Sequence, residues 1–268
     1  MRITDCHFHL SGNCKPADLL RGMDANGVDR ILLFSENERK SFYETRRKIL
    51  TCAEIAKAAP DRISPMAWVE PTIPGMADLV EEALTDFGYV GVKIIPDHWF
   101  AYEERLEPFW ERMNALAAPI LFHTGILYAH DDSSRFCQPL WLEKLMHYPR
   151  IKFAMAHLSW PWCEEHLAVM GRMRDAAVSG GWEWQSYSDI TVGTPPHIHK
   201  QALANAVSFV GPERIMWGSD TSMPGESMQN QAFRLKYDIA LLEEIGLDTD
   251  QIQQIMSGTA DEVFPACT

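Results

Sequence analysis

Two rhythms of apolar and polar residues alternate along the chain. Short, nearly continuous apolar runs have the form of strands buried on both faces. Between them lie stretches in which apolar residues return every three or four positions, the period of an amphipathic helix. The runs predict strands at Ile3–His9, Arg30–Ser35, Ile63–Val69, Gly91–Ile95, Ile120–Thr124, Lys152–Leu158, Glu183–Tyr187 and Ile215–Ser219. The helical stretches predict Pro16–Asn26, Ser41–Ala59, Pro74–Asp86, Arg105–Ala118, Leu140–His147, Trp162–Ala177, Ile198–Val210 and Glu226–Glu244. Pro16 opens the first helix and Gly27 follows its end, the usual asymmetry of helix termini. Thr249–Met256 and Thr259–Phe264 predict a short helical appendage.

The strand starts recur at intervals of roughly 30 residues, the length of a strand, a helix and two loops. Eight such units in even succession, with no long linker, predict an α/β fold of the (β/α)8 TIM-barrel type. Residues 1–268 form a single domain in this reading, with short C-terminal helices. An open doubly wound sheet would carry a phosphate-binding turn after a strand, and no GxGxxG or P-loop motif is present.

A parallel barrel brings the C-terminal ends of all its strands to one mouth. Strand 1 ends in His7 and His9, with Asp5 two residues earlier. Strand alternation puts these three on one face, where two imidazoles can grip one metal ion. Strand 4 carries Lys93, strand 5 ends in His123, strand 6 in His157 and strand 8 in Asp220. Taken alone, a histidine ending an apolar strand is ordinarily a hydrogen-bonded core residue, and an aspartate after Gly-Ser an ordinary turn residue. The convergence of all six on one rim is what points to metal chemistry. Asp5 lies deeper on the inward face and either orients the ligands or is buried with its own partner.

The formal net charge of −13 argues against nucleic acid or an anionic membrane as a partner. A small molecule is the expected partner, and a homodimer is compatible with the chain. Six scattered cysteines without zinc-knuckle spacing read as reduced thiols, which points to the cytoplasm. No signal peptide is expected, and no apolar run approaches the length of a membrane span.

The HxH of strand 1, the histidines ending strands 5 and 6 and the Asp ending strand 8 resemble the amidohydrolase superfamily. The resemblance is to its amidohydrolase-2 branch, related to aminocarboxymuconate-semialdehyde decarboxylase, and it extends from Ile3 to Gly258-Thr259-Ala260. It implies a metal-dependent barrel, and it includes both hydrolases and non-oxidative decarboxylases. By position, His7, His9, His123 and Asp220 resemble the ligands of one divalent metal, usually zinc; manganese also suits such a donor set. His157 resembles the histidine that positions or polarises the water, which makes His157 and Asp220 the catalytic pair. Lys93 stands where binuclear relatives carry a carbamylated lysine bridging two metals. It also suits a substrate carboxylate as a plain ammonium.

The implied chemistry is attack of a metal-activated water on a small cyclic or carboxylated substrate, a lactone, ester or amide, with Asp220 accepting the proton. The alternative is decarboxylation of an aromatic or unsaturated acid by the same centre. A third, of another class, is a metal-binding barrel without catalysis. An adenosine-deaminase-like enzyme would add a His-x-x-Glu motif, which has no good match here. Substrate choice belongs to the loops after the strands. These offer Glu70, then Asp97, His98, Trp99 and Tyr102, then Tyr128, His130, Asp131 and Arg135, and finally Trp160, Trp162 and His197. Of these, Trp99, His98, Tyr128, Arg135 and Trp160 are the candidates for substrate contact, with Arg135 a candidate carboxylate clamp.

Overall fold

A computed structural model describes every residue except 13, 37–40, 129–131, 224–226 and 267–268. In it the apolar runs form parallel strands β1 (Thr4–Leu10), β2 (Arg30–Phe34), β3 (Ile63–Trp68), β4 (Gly91–Ile94), β5 (Ile120–Phe122), β6 (Phe153–Met155), β7 (Ser186–Asp189), β8 (Ile215–Met216) and β9 (Thr221–Met223). From β1 to β8 each strand pairs with the next in sequence. β8 pairs with β7, and β9, its continuation beyond a break, pairs with β1. Inside the break the Cys6 amide donates to the Trp217 carbonyl at 3.1 Å and the Asp220 amide to the His7 carbonyl at 2.9 Å. β8 and β9 therefore serve as one eighth stave, and the barrel closes as the eightfold repeat predicts.

Helices α1 (Pro16–Asn26), α2 (Phe42–Ala56), α3 (Met76–Asp86), α4 (Glu107–Leu116), α5 (Cys163–Gly180), α6 (Pro196–Val210) and α7 (Ser227–Glu244) follow the strands. α1 has the bounds its pattern predicts, and Ser41 caps α2 by accepting from the Glu44 amide at 3.2 Å. The expected start of α7 at Glu226 lies outside the described residues. The stretch predicted as a helix at Leu140–His147 is a 3-10 helix over Pro139–His147. Its buried residues Pro139, Leu142 and Leu145 recur every three positions, which is the 3-10 period rather than the α period. Short helices α8 (Thr249–Gln253) and α9 (Thr259–Val263), joined by a π-helical turn at Gln254–Gly258, end the chain. Among the described residues no helix is long and apolar enough to cross a membrane.

The two faces of the staves feed two separate cores. Leu32, Phe34, Met66, Leu121, Ala154, Tyr187 and Met216 fill the interior, plugged by Ala260, Val263 and Phe264 from the C-terminal segment. Phe8, Ile31, Leu33, Val92, Ile94, Phe122, Phe153, Met155 and Trp217 face outward, under the helices. At the strand starts the buried Arg30 guanidinium donates to Ser64 Oγ and Asp261 Oδ1, each at 2.9 Å, and to the Phe264 carbonyl.

Two strands depart from expectation, and both departures shape the mouth. β7 lies three residues later than the predicted start at Glu183. Trp184, inside the predicted span, sits off the sheet with the Arg214 guanidinium 4.6 Å from its ring centroid. In β1, three steps from Asp5 to Phe8 match two steps from Ile31 to Leu33 on β2, so β1 carries a one-residue bulge. Cys6 joins the inner core, His7 also points inward, and Asp5 does not share their face. The Asp5 carboxylate instead accepts from Gln231 of α7 at 2.7 Å, from the Ser219 amide and hydroxyl, and from the His7 amide. It fixes the end of the eighth stave from the helix side, and burial pushes its pKa up to about 6.

Candidate metal centre

His7 and His9 enter the mouth from β1, after the bulge. His7 lies across the barrel from β4, and the fully buried Lys93 Nζ approaches its Nε2 at 3.3 Å. Gly218 lets the eighth stave approach β1 closely here, since a Cβ on it would come within 2.7 Å of the His7 Cβ. His123 follows β5 on the inward side set by Leu121.

His157 reaches the mouth differently. In β6, Phe153 and Met155 face the helices and Ala154 and Ala156 face inward, so plain alternation would send residue 157 outward. The backbone turns left-handed at His157, Leu158 and Ser159 (φ 60°, 47° and 54°) and swings the imidazole into the barrel. Each non-glycine residue in that region costs about 1–2 kcal/mol, so surrounding contacts must hold the turn. The Thr124 hydroxyl donates to the Ala156 carbonyl at 2.8 Å and the Thr194 hydroxyl to the His157 carbonyl at 3.0 Å. Gly193 presses on the ring's base, where a Cβ would meet the His157 Cβ at 2.9 Å. Asp220 is also left-handed (φ 55°), in the break between β8 and β9.

The donors then meet. Asp220 Oδ1 lies 3.1 Å from His9 Nε2 and 3.4 Å from His7 Nε2. His157 Nε2 lies 3.1 Å from His123 Nδ1. His7, His157 and Asp220 each bring one ligand atom within 4.8 Å of the others. This trio puts His157 among the candidate donors.

Two residues of β7 and its loop complete the arrangement, and the sequence reading did not find them. Asp189 is fully buried, and its Oδ2 accepts from His7 Nδ1 at 2.6 Å, leaving Nε2 as the imidazole's free lone pair. Its other oxygen accepts from the Thr191 amide at 2.6 Å, and the Thr191 hydroxyl lies 2.7 Å from His157 Nδ1. One carboxylate thus orients two imidazoles. The signal was the period of two running Tyr187, Asp189, Thr191, hidden because the strand was ended at Tyr187.

Electrostatically the mouth is a cluster of bases. Burial, and for His7 and His123 also neighbouring positive groups, hold the imidazoles of His7 and His123 well below the usual histidine range, and burial lowers His157 as well. Burial would raise the Asp220 carboxyl, but His7, the hydrogen bond from His9 and His157 outweigh it and hold it well below the usual range. Burial lowers Lys93 to about 8. The donor set suits a divalent cation: clustered imidazole nitrogens, a carboxylate held well below its usual range, and a buried His123 Nε2 that has no hydrogen-bond partner among the described residues.

A family model described as amidohydrolase, of the amidohydrolase-2 branch, matches residues 4–266. The chain belongs to the amidohydrolase family. Among solved structures, this amidohydrolase resembles 5-carboxyvanillate decarboxylase LigW from Sphingomonas paucimobilis (TM-score 0.72, 15% identity, 99% of each chain covered). It also resembles a 5-carboxyvanillate decarboxylase from Novosphingobium aromaticivorans, complexed with manganese and 4-hydroxy-3-methoxy-5-nitrobenzoic acid (TM-score 0.72, 13% identity, 98% of this chain and 96% of that one). A third is a probable 2-pyrone-4,6-dicarboxylic acid hydrolase from Acinetobacter baumannii with citric acid bound (TM-score 0.68, 14% identity, 98% and 99%). At these identities the likeness is one of fold, and it confirms the TIM barrel. Among curated proteins none matches the chain. The amidohydrolase is an enzyme of a metal-dependent family whose structural neighbours include hydrolases and carboxy-lyases.

Above the donors lies a cavity of about 270 Å³. Trp160 and Tyr128 line it, with Trp68, Ile95, Leu127 and Val192 forming much of the remaining apolar wall. The other loop candidates sit elsewhere. Trp99 is fully buried in the outer core against Trp110, with ring centroids 6.2 Å apart. His98 is half exposed and pairs with Asp97 at 2.5 Å. Arg135 is exposed, its guanidinium 4.8 Å from the Phe136 ring centroid, and it does not line the cavity. Glu70 accepts from the Thr72 amide and hydroxyl in a local turn. Tyr102 stacks on Phe100, Trp162 precedes α5, and His197 is exposed in the first turn of α6. His130 and Asp131 lie outside the described residues.

Proposed function

We propose that this amidohydrolase is a metal-dependent hydrolase acting with an activated water on a small cyclic or carboxylated lactone, ester or amide. The observation that carries the reading is Asp220 Oδ1 set against both His7 Nε2 and His9 Nε2 beneath a cavity with apolar walls. His7, His9, His123 and Asp220 would hold the ion, with His157 beside them. One divalent ion, zinc in this reading and manganese as the alternative, supplies a Lewis acid that polarises a carbonyl and acidifies water. The remaining work falls to side chains. The ionised Asp220 accepts the proton of the attacking water. His157, fixed through Thr191, hydrogen-bonds the oxygen on which charge develops. Trp68 and Trp160 exclude bulk water around the reacting carbonyl. The thiols of Cys6, Cys14, Cys52, Cys137 and Cys163 suit a reducing compartment such as the cytoplasm.

Decarboxylation is the second reading, and Lys93 favours it. Its ammonium is fully buried at the cavity floor, where it can pair with a substrate carboxylate. The test is a panel of lactones, esters, amides and aromatic acids offered to zinc- and manganese-loaded protein. New acid released from a neutral substrate, and lost in Asp220→Asn, is the expected result. Stoichiometric carbon dioxide without hydrolysis would replace the first reading by the second. Undiminished turnover in Asp220→Asn would remove Asp220 from either mechanism.

A further inference from the structure

We propose that His166 is a positioning residue for His157. From the helix layer it holds the left-handed turn that aims the His157 imidazole into the mouth. His166 lies on α5, is fully buried and does not line the cavity. Its Nδ1 lies 2.8 Å from Ser159 Oγ, on the last left-handed residue of the turn. Its Nε2 lies 2.6 Å from Ser188 Oγ, on the outward face of β7. The imidazole therefore ties the turn to the neighbouring stave. Ser159 Oγ also donates to Thr124 Oγ1 at 2.8 Å, and that hydroxyl goes on to the Ala156 carbonyl at 2.8 Å. These bonds brace both ends of the segment whose handedness decides where His157 points.

No apolar residue could replace this arrangement. Without His166, Ser159 and Ser188 would each lose a buried partner, and the turn would lose its link to β7. An extended backbone at 157–159 would restore plain alternation and send the His157 ring toward the helices. The consequence for metal binding rests on the reading of the mouth as a metal centre; the structural claim does not.

The test uses the full-length, metal-free chain with 15N-labelled histidine. Long-range 1H–15N spectra report the ring state of His157, whose signals are assigned by their loss in His157→Gln. Zinc affinity is then measured by chelator competition. In His166→Leu the two ring-nitrogen shifts of His157 should move toward averaged values while those of His7, held by Asp189, stay in place. Zinc affinity should fall by on the order of tenfold. His166→Gln, which keeps a hydrogen-bonding side chain, should recover part of both. Ser188→Ala removes one anchor only, should show a smaller change in the same direction, and decides the matter if His166→Leu does not fold. Unchanged His157 signals in a folded variant would overturn the proposal. Shifted signals with unchanged zinc affinity would uphold the positioning role and show that His157 does not support the ion's donors.

Discussion

Arg30 at the bottom of the barrel and Lys93 near its mouth are both fully buried cations, two staves apart, and their surroundings differ in kind. Arg30 donates to a hydroxyl, a carboxylate and a backbone carbonyl that also fix the C-terminal plug. Lys93 has the Phe34 ring, with Nζ 5.1 Å from its centroid, and the His7 lone pair, which is itself a candidate metal donor. Asp189 and Asp220 act on it through space, and burial still lowers it to about 8. The difference shows how one sheet divides its labour. The bottom spends its polar groups on fixing the C-terminal plug, while the mouth turns imidazoles and a carboxylate toward a cavity and holds His157 and Asp220 in left-handed backbone.

That contrast can be broken from either end. The largest effect is expected at the mouth: Asp220→Ala should weaken zinc binding by more than about 100-fold, read by chelator competition. The apo protein should also lose some stability at neutral pH, because the carboxylate that accepts from His9 is lost and alanine fits the left-handed backbone less well than aspartate. Arg30→Met should act on stability alone, lowering it by about 3 kcal/mol in urea unfolding and leaving zinc affinity unchanged. A large fall in zinc affinity there would mean the two ends are coupled. Asp189→Asn sits between these, with zinc affinity down by about 10–100-fold through the misoriented His7 ring.

The smallest effect is the pH dependence of the apo protein. His7, His123, His157, His166 and His199 all have lowered pKa values, by burial first; those of His166 and His199 fall to about 3 and about 4. Between those values and the ordinary histidine range the unfolded chain binds more protons than the folded one, so these groups make stability fall as pH falls from 7 toward 4. Asp5 and Asp238, raised to about 6 by burial, act in the opposite sense between pH 4 and 6. Five groups outweigh two, and three of the five, His7, His123 and His157, line the mouth. The urea midpoint of the apo protein should therefore be lower at pH 5 than at pH 7.5. An Arg30→Met background should preserve that difference. A flat profile would show that the mouth does not keep its imidazoles neutral.

Most of the architecture was legible because apolar runs and helical periods are local signals. Pro16, Gly27 and Ser41 mark helix ends in the sequence and do so in the fold. The convergence of His7, His9, Lys93, His123, His157 and Asp220 followed from barrel geometry alone, since strand ends of a closed parallel sheet share one rim. The sequence could not show what depends on register. β7 carries Ser186 and Ser188 on its outward face, against Trp184 Nε1 and His166, so no apolar residue marked its later half and Asp189 was missed. The inward swing of His157 depends on φ values that no residue between 157 and 159 announces, since none is glycine. Trp99 and Arg135 illustrate the loops: aromatic or cationic character placed them as substrate contacts, whereas burial against Trp110 and packing on Phe136 decided their positions.

The bulge in β1 has one more effect, on height rather than direction. Removing Cys6 would leave Asp5 facing out and His7 and His9 facing in, because the strand would simply regain its regular pleat. Every facing would survive. The two imidazoles would nevertheless sink by about one residue rise, roughly 3.3 Å, toward the bottom. That is as large as the 3.1 Å that separates His9 from Asp220. The extra residue acts as a spacer that lifts the first pair of donors level with those of the other staves. A one-residue deletion that looks harmless in an alternation diagram should leave a folded barrel whose donors no longer meet.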